Sequence, residues 1–177
     1  AAKRAIEPLL HIGTVLNQTI KKMPYEDVLE KVTPPPFVPL VKNSFTQTCS
    51  DELIDAIVTN AGKVGPMFIQ IRSLGGAVKR IPHDATAFAY RNTEVMLLTV
   101  LLDTSAAAVA KFKDFRAMLV PFTAGAYGNF LSTADKEDVA AIYPPETYAR
   151  LSAIKHKYDP ANLFDQNYNV KPSPDIH

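Results

Sequence analysis

Between Glu94 and Asp103 the chain runs Val95-Met96-Leu97-Leu98-Thr99-Val100-Leu101-Leu102, apolar at every position but Thr99. A run this short that is apolar on successive positions, not alternate ones, has no face to offer water. It predicts a strand in the middle of a sheet, covered on both sides. The rest of the chain must therefore supply flanking strands and the layers that close over them.

Flanking strands are expected over Phe37–Phe45 and over Met67–Ser73. In the second, Met67, Ile69 and Ile71 fall on one face and Phe68, Gln70 and Arg72 on the other. The pair Gly75-Gly76 reads as a hairpin turn with Ala77–Ile81 as the returning strand. Thr86–Arg91 is expected to be extended, and Ala126–Leu131 to be a short strand after Gly125. Ser50 caps a helix whose buried stripe is Leu53, Ile54, Ile57 and Val58, closed by Gly62 or Gly65. Ser105–Leu119 is an alanine-rich helix stopped by Pro121, and Asp135–Ile142 and Glu146–Lys157 are the closing helices.

Upstream, residues 1–12 read as the end of a helix with no cap before it, the pattern of a chain continued upstream. Pro24–Leu29 reads as a short helix, and Thr33-Pro34-Pro35-Pro36 as an extended connector. Hairpin-linked strands punctuated by helices give the α+β class: a mainly antiparallel sheet with helices on one face, then a C-terminal helix and extended tail.

Several function classes are excluded at this level. In 177 residues, Lys+Arg 19 against Asp+Glu 18 leaves +1, so no field of one sign recruits nucleic acid or an anionic membrane. No stretch has the length and apolarity to span a bilayer. The lone Cys49 rules out an internal disulfide framework, and His11, His156 and His177 lack metal-ligand spacing. No hydrophobic signal region follows Ala1-Ala2-Lys3-Arg4, so a cytoplasmic location is the default. Asn17-Gln18-Thr19 fits the N-glycosylation triplet, a pattern that recurs by chance. No glycine-rich phosphate loop opens a helix.

Four stretches, in order, resemble one family. They are Leu74-Gly75-Gly76-Ala77-Val78 with Arg80-Ile81-Pro82, Thr86-Ala87-Phe88-Ala89-Tyr90-Arg91, Gly125-Ala126-Tyr127-Gly128-Asn129-Phe130, and Tyr148 to Phe164 with the Asn-rich tail to Pro172. Together they are similar to the C-terminal portion of the berberine-bridge-enzyme-like flavin oxidases. The resemblance implies residues 1–145 as a substrate-binding α+β domain whose sheet roofs a flavin. Residues 146–177 would be the helix and tail that pack on an FAD-binding domain absent from this chain. It implies FAD as cofactor, held mainly by that other domain or chain, a small-molecule substrate, and hydride transfer from an alcohol, sugar or related C–H group with reoxidation by O2. A homodimer formed through the vacated face is a further expectation, and a non-catalytic binding domain derived from the fold stays open beside the enzyme.

Residue by residue, the resemblance puts Tyr127 at the family's active-site tyrosine. Asn129, Asn167 and Asn169 become flavin-edge contacts. Gln70 and Arg72 look into the pocket or form a solvated face. Tyr90 stands where the family has His and is a pocket phenol or a packed aromatic; Arg91 holds a substrate group or a structural ion pair. The chain departs from the pattern at two places. The strand after Tyr90-Arg91 has no acid where some members carry a carboxylate base, and Asp165 stands where a basic residue is common.

Overall fold

The computed structural model describes residues 2–14, 16, 17, 20–28 and 37–174. The Thr33–Pro36 connector, Gln18 and Thr19 of the glycosylation triplet, and His177 lie outside the described residues. Two compact units divide the chain, Ala1–Pro36 and Phe37–His177. In the first, α1 (Ala2–Ile6) tightens into a 3-10 turn over Glu7–His11. Pro8, near the start of that turn, has no N–H with which to continue an α-helix. A second 3-10 turn, Tyr25–Val28, follows Pro24.

The second unit holds a three-stranded sheet in the order β1-β3-β2, antiparallel throughout. Its strands are β1 (Leu40–Thr46), β2 (Met67–Ser73) and β3 (Val95–Leu101), and all seven residues of the central strand are buried. On one face Val95, Leu97 and Leu101 join Met67 and Ile69 against α2 (Asp51–Asn60) and α3 (Ala106–Leu119). Leu53, Phe112, Phe115 and Leu119 are the helical side of that core. Both helices start where the sequence signals: Ser50 and Ser105 each accept from the backbone N–H three residues on.

The other face carries Met96, Leu98 and Val100. The register sets them across from Phe45, Asn43 and Val41 on β1 and from Arg72, Gln70 and Phe68 on β2. This is the face on which the candidate site is built.

Two expected strands are absent. Ala77–Ile81 is a series of turns, with Val78 N–H donating to Gly75 O and Ile81 N–H to Val78 O. The hairpin partner of β2 is β3, and Leu74 N–H to Glu94 O (2.6 Å) closes the loop between them. Gly75 and Gly76, both at positive φ, steer the chain out of the sheet and into that loop. Wholly apolar β3 gains more from the central place than Ala-Val-Lys-Arg-Ile would.

Ala126–Leu131 is not a strand either. β1 bonds a neighbouring segment at Phe45–Ala124 and again at Val41–Ser132. Between those points the chain bows away into a 3-10 turn over Gly128–Phe130.

Helix α4 (Lys136–Ile142) is capped by Asp135, and α5 (Pro145–Tyr158) starts behind Pro144. Asp159 ends α5, accepting from the N–H groups of Leu163 and Phe164 and pairing with Lys155. The tail then returns along the helix. Ser152 Oγ donates to Lys171 O, and Lys171 N–H reaches the Tyr148 hydroxyl.

Candidate functional site

Asn43 organises the site. It is 1% exposed, and its carboxamide replaces the ladder bonds that the bowed segment gives up. Oδ1 accepts from Tyr127 N–H at 2.7 Å, while Nδ2 donates to Tyr127 O at 2.9 Å and Phe130 O at 2.8 Å. One buried amide thus satisfies three backbone groups and fixes the turn that carries Tyr127 and Asn129. Its own carbonyl accepts from Arg116 of α3, whose guanidinium also reaches Thr99. Burial pulls the Arg116 pKa down, and the Asp138 charge opposes this. Nothing in the sequence singled out Asn43. Lys42-Asn43-Ser44 reads as a polar patch on an edge strand, and the partners of the Asn43 carboxamide lie more than eighty residues away.

Asn129 Nδ2 donates to the Tyr127 hydroxyl at 2.8 Å. The two side chains meet across a 3-10 turn and not by strand alternation. Gly128 between them is a close approach. A Cβ there would lie 3.2 Å from Ile142 Cδ1 and 3.3 Å from the Tyr168 ring. Tyr168 therefore packs the tail behind the turn, and its phenol donates to Leu131 O. Burial, with the Asp138 charge, pushes the Tyr168 pKa up.

Tyr127 lines a cavity of about 380 Å³ with Phe45, Leu74, Phe88, Arg91 and Met96. The rings form a series across its wall. Phe88 meets Tyr127 edge-on at 6.2 Å, and Tyr127 meets Phe130 at 5.5 Å. A guanidinium stands at each end: Arg91 lies 5.0 Å from the Phe88 ring centre and Arg72 4.4 Å from that of Phe130. Arg91 also donates to Phe88 O and the Thr86 hydroxyl, and Arg72 to Gln70 Oε1 through two nitrogens. Among the described residues neither guanidinium has a carboxylate partner; the ion pairs are Lys42–Asp138, Lys79–Glu94 and Lys155–Asp159.

The fold thus brings Tyr127, Asn129, Arg72, Gln70 and Arg91 to one side of the sheet. Tyr90 is a packed aromatic: it stacks on Phe45 at 5.0 Å, and its phenol donates to Ala141 O. Burial raises its pKa. Asn167 and Asn169 line a separate groove of about 820 Å³ beside α4, α5 and Lys171, which shares no lining residue with the Tyr127 cavity. Asn169 Oδ1 is buried there without a hydrogen-bond partner. Among the described residues no His/Cys/Asp/Glu group is placed to hold a metal, and no helix is long and apolar enough to cross a membrane.

Comparison with known proteins gives the geometry its setting. Residues 126–171 match the family model described as berberine and berberine like. An uncharacterized FAD-linked oxidoreductase of Bacillus subtilis, YvdP, is 31% identical over 185 residues, 96% of this chain and 41% of that protein. (R)-6-hydroxynicotine oxidase of Paenarthrobacter nicotinovorans is 31% identical over 130 residues, 67% of this chain and 27% of that one. Among solved structures, 6-hydroxy-D-nicotine oxidase of Arthrobacter nicotinovorans superimposes with a TM-score of 0.68 at 23% identity, over 97% of this chain and 42% of that one. A chitooligosaccharide oxidase gives 0.64 at 20% identity, over 77% and 33%. The chain spans about two fifths or less of the length of these relatives.

Proposed function

Residues 126–171 are a berberine-like domain and the chain is related to part of the FAD-linked oxidoreductases; on that premise we propose that it is the C-terminal, substrate-binding portion of such an oxidase. Its reaction would be oxidation of an alcohol, sugar or related C–H group. The observation that carries this reading is the Tyr127–Asn129 pair at the cavity wall, held by buried Asn43.

The residues present fit one edge of a flavin and not its phosphates. Asn129 and Asn169 are amides with hydrogen-bonding capacity left over, and the Asn169 oxygen is orphaned. Helices α2 to α5 of the second unit are preceded by Ser50, Ser105, Asp135 and Pro144, none of which makes a glycine phosphate cradle. Asn129 would therefore meet the ring system beside Tyr127, Asn167 and Asn169 would reach the cofactor only from their separate groove, and the pyrophosphate would belong to an FAD-binding domain or chain. Bound FAD supplies the hydride acceptor, with O2 as the terminal oxidant.

Tyr127 takes the hydroxyl proton of the substrate as the carbon–hydrogen bond breaks. A phenol oxygen serves as a base only where a hydrogen-bond donor or a positive neighbour meets its charge. Asn129 Nδ2–H meets it directly, and the Arg91 charge lines the same cavity. Tyr158, Leu163 and Phe164, exposed at 74%, 78% and 80% around the Asp159 turn, form the apolar surface we assign to the FAD-binding partner. A second copy of this chain on that surface is the other outcome of a sizing experiment.

One observation favours the non-catalytic alternative: among the described residues no carboxylate lines the cavity. The test is steady-state turnover of the flavin-loaded oxidoreductase containing this chain. Tyr127→Phe should lower turnover by about a hundredfold or more at unchanged flavin content. Equal turnover would remove the tyrosine from the chemistry, and no turnover of any alcohol by either form would leave a binding domain.

A further inference from the structure

Resting on that reading, we propose that the Tyr127 cavity takes a compact aryl substrate bearing a carboxylate, its ring against Phe88 and Tyr127 and its anion on Arg91, in preference to an oligosaccharide. The lining carries the first half of the argument. Phe45, Leu74, Phe88 and Met96 offer apolar surface, and among the described residues polar side-chain atoms come only from Tyr127 and Arg91. A sugar ring carries hydroxyls around its whole edge, and each one buried against such a wall gives up a water partner for nothing. A flat apolar ring has no such loss. It also gains edge and face contacts with Phe88 and Tyr127, already set at right angles (89°) to each other. The volume of about 380 Å³ suits one or two rings.

Charge carries the second half. Arg72 and Arg91 cap the two ends of the aromatic series, and their hydrogen bonds run to neutral acceptors: Gln70 Oε1, Phe88 O and Thr86 Oγ1. Neither is ion-paired among the described residues, and β3 beneath them is without an acid. An apolar concavity between two uncompensated guanidiniums attracts an anion and repels an amine. Arg91 lines the cavity and binds the carboxylate; Arg72 adds to the field from the Phe130 end.

The test uses the flavin-loaded oxidoreductase that contains this chain, with phenylacetate, its neutral isostere phenylacetamide, and the disaccharide cellobiose as probes in calorimetric or ligand-observed NMR titrations. Phenylacetate should bind at least about tenfold more tightly than phenylacetamide, and cellobiose most weakly. Arg91→Gln should erase the acid-over-amide preference and Arg91→Lys restore part of it, while Lys63→Gln, a charge change on the α2 side, should leave it intact. If the Arg91 variants do not fold, a salt titration of the unaltered chain serves: the preference should shrink as ionic strength rises. Equal binding of acid and amide overturns the anion assignment, and tighter binding of cellobiose overturns the aryl assignment. Tyr127-dependent oxidation of cellobiose by the flavin-loaded enzyme would likewise overturn the substrate class while leaving the oxidoreductase reading intact. Arg91-dependent binding of phenylacetate, with no Tyr127-dependent oxidation of its α-hydroxy analogue mandelate, would do the reverse.

Discussion

Replacing Asn43 with Ala removes one side chain and strands three backbone groups at once. The affected groups are Tyr127 N–H, Tyr127 O and Phe130 O, bonded at 2.7, 2.9 and 2.8 Å. Each bond contributes about 0.5–1.5 kcal/mol net, and a group left buried and unpaired costs about 1–3 kcal/mol. The residue is 1% exposed, yet the turn it holds is half-buried, so water reaches part of what is freed. A loss of about 2–4 kcal/mol follows from these ranges, which for a domain of this size lowers Tm by roughly 4–16 °C at about 2–4 °C per kcal/mol. Asn43→Asp keeps the acceptor for Tyr127 N–H but sets carboxylate oxygens against two carbonyls, so it should be at least as damaging above neutral pH. Urea unfolding followed by circular dichroism gives the free energies, and hydrogen exchange at Tyr127 and Phe130 localises the effect. Gln47→Ala, exposed just beyond β1, is the control. If Asn43→Ala costs no more than that control, the clamp has been assigned too much.

Gly125 sits at φ +63, where a Cβ would lie 1.9 Å from Tyr90 Cζ. Gly125→Ala should therefore cost more than about 3 kcal/mol, and a double-mutant cycle with Tyr90→Ala should recover all but about 1 kcal/mol of it, the backbone share; additive losses would argue against the clash. Asp159 is hydrogen-bonded foremost by Lys155 and then by the Leu163 and Phe164 N–H groups, against the opposing effect of burial, and its carboxyl is held below the ordinary 3.8. A group lowered in the folded state contributes stability that is complete above its unfolded pKa and is lost as pH falls through the folded value. Acid titration of stability should thus show a loss below 3.8 that Asp159→Asn flattens; identical acid limbs for the two proteins would contradict the pairing.

What the sequence made legible was whatever depends on local pattern. β3 declared itself by having no polar face, and Ser50 and Ser105 announced their helices because a cap acts within three residues. The same locality explains the failures. Gly75-Gly76 signalled a change of direction correctly, but whether a returning strand follows depends on competition for the edge of β2, which β3 wins from twenty residues away. Ala126–Leu131 reads as a short strand after Gly125, yet its backbone groups are claimed by Asn43, and a buried side chain substituting for a ladder leaves no periodic mark. Tyr127 and Asn129 were found through family resemblance, and the fold pairs them. The same resemblance joined them to Asn167 and Asn169, which the described residues put in a different groove.

The central claim is that Tyr127 accepts the substrate proton in an FAD-linked oxidation. It is tested most directly by anaerobic single-turnover reduction of the flavin, in the flavin-loaded oxidoreductase that contains this chain, for the natural sequence and for Tyr127→Phe. The expected result is a reduction rate lower by about a hundredfold or more in the variant, at equal flavin occupancy. Equal rates with the same substrate would contradict it.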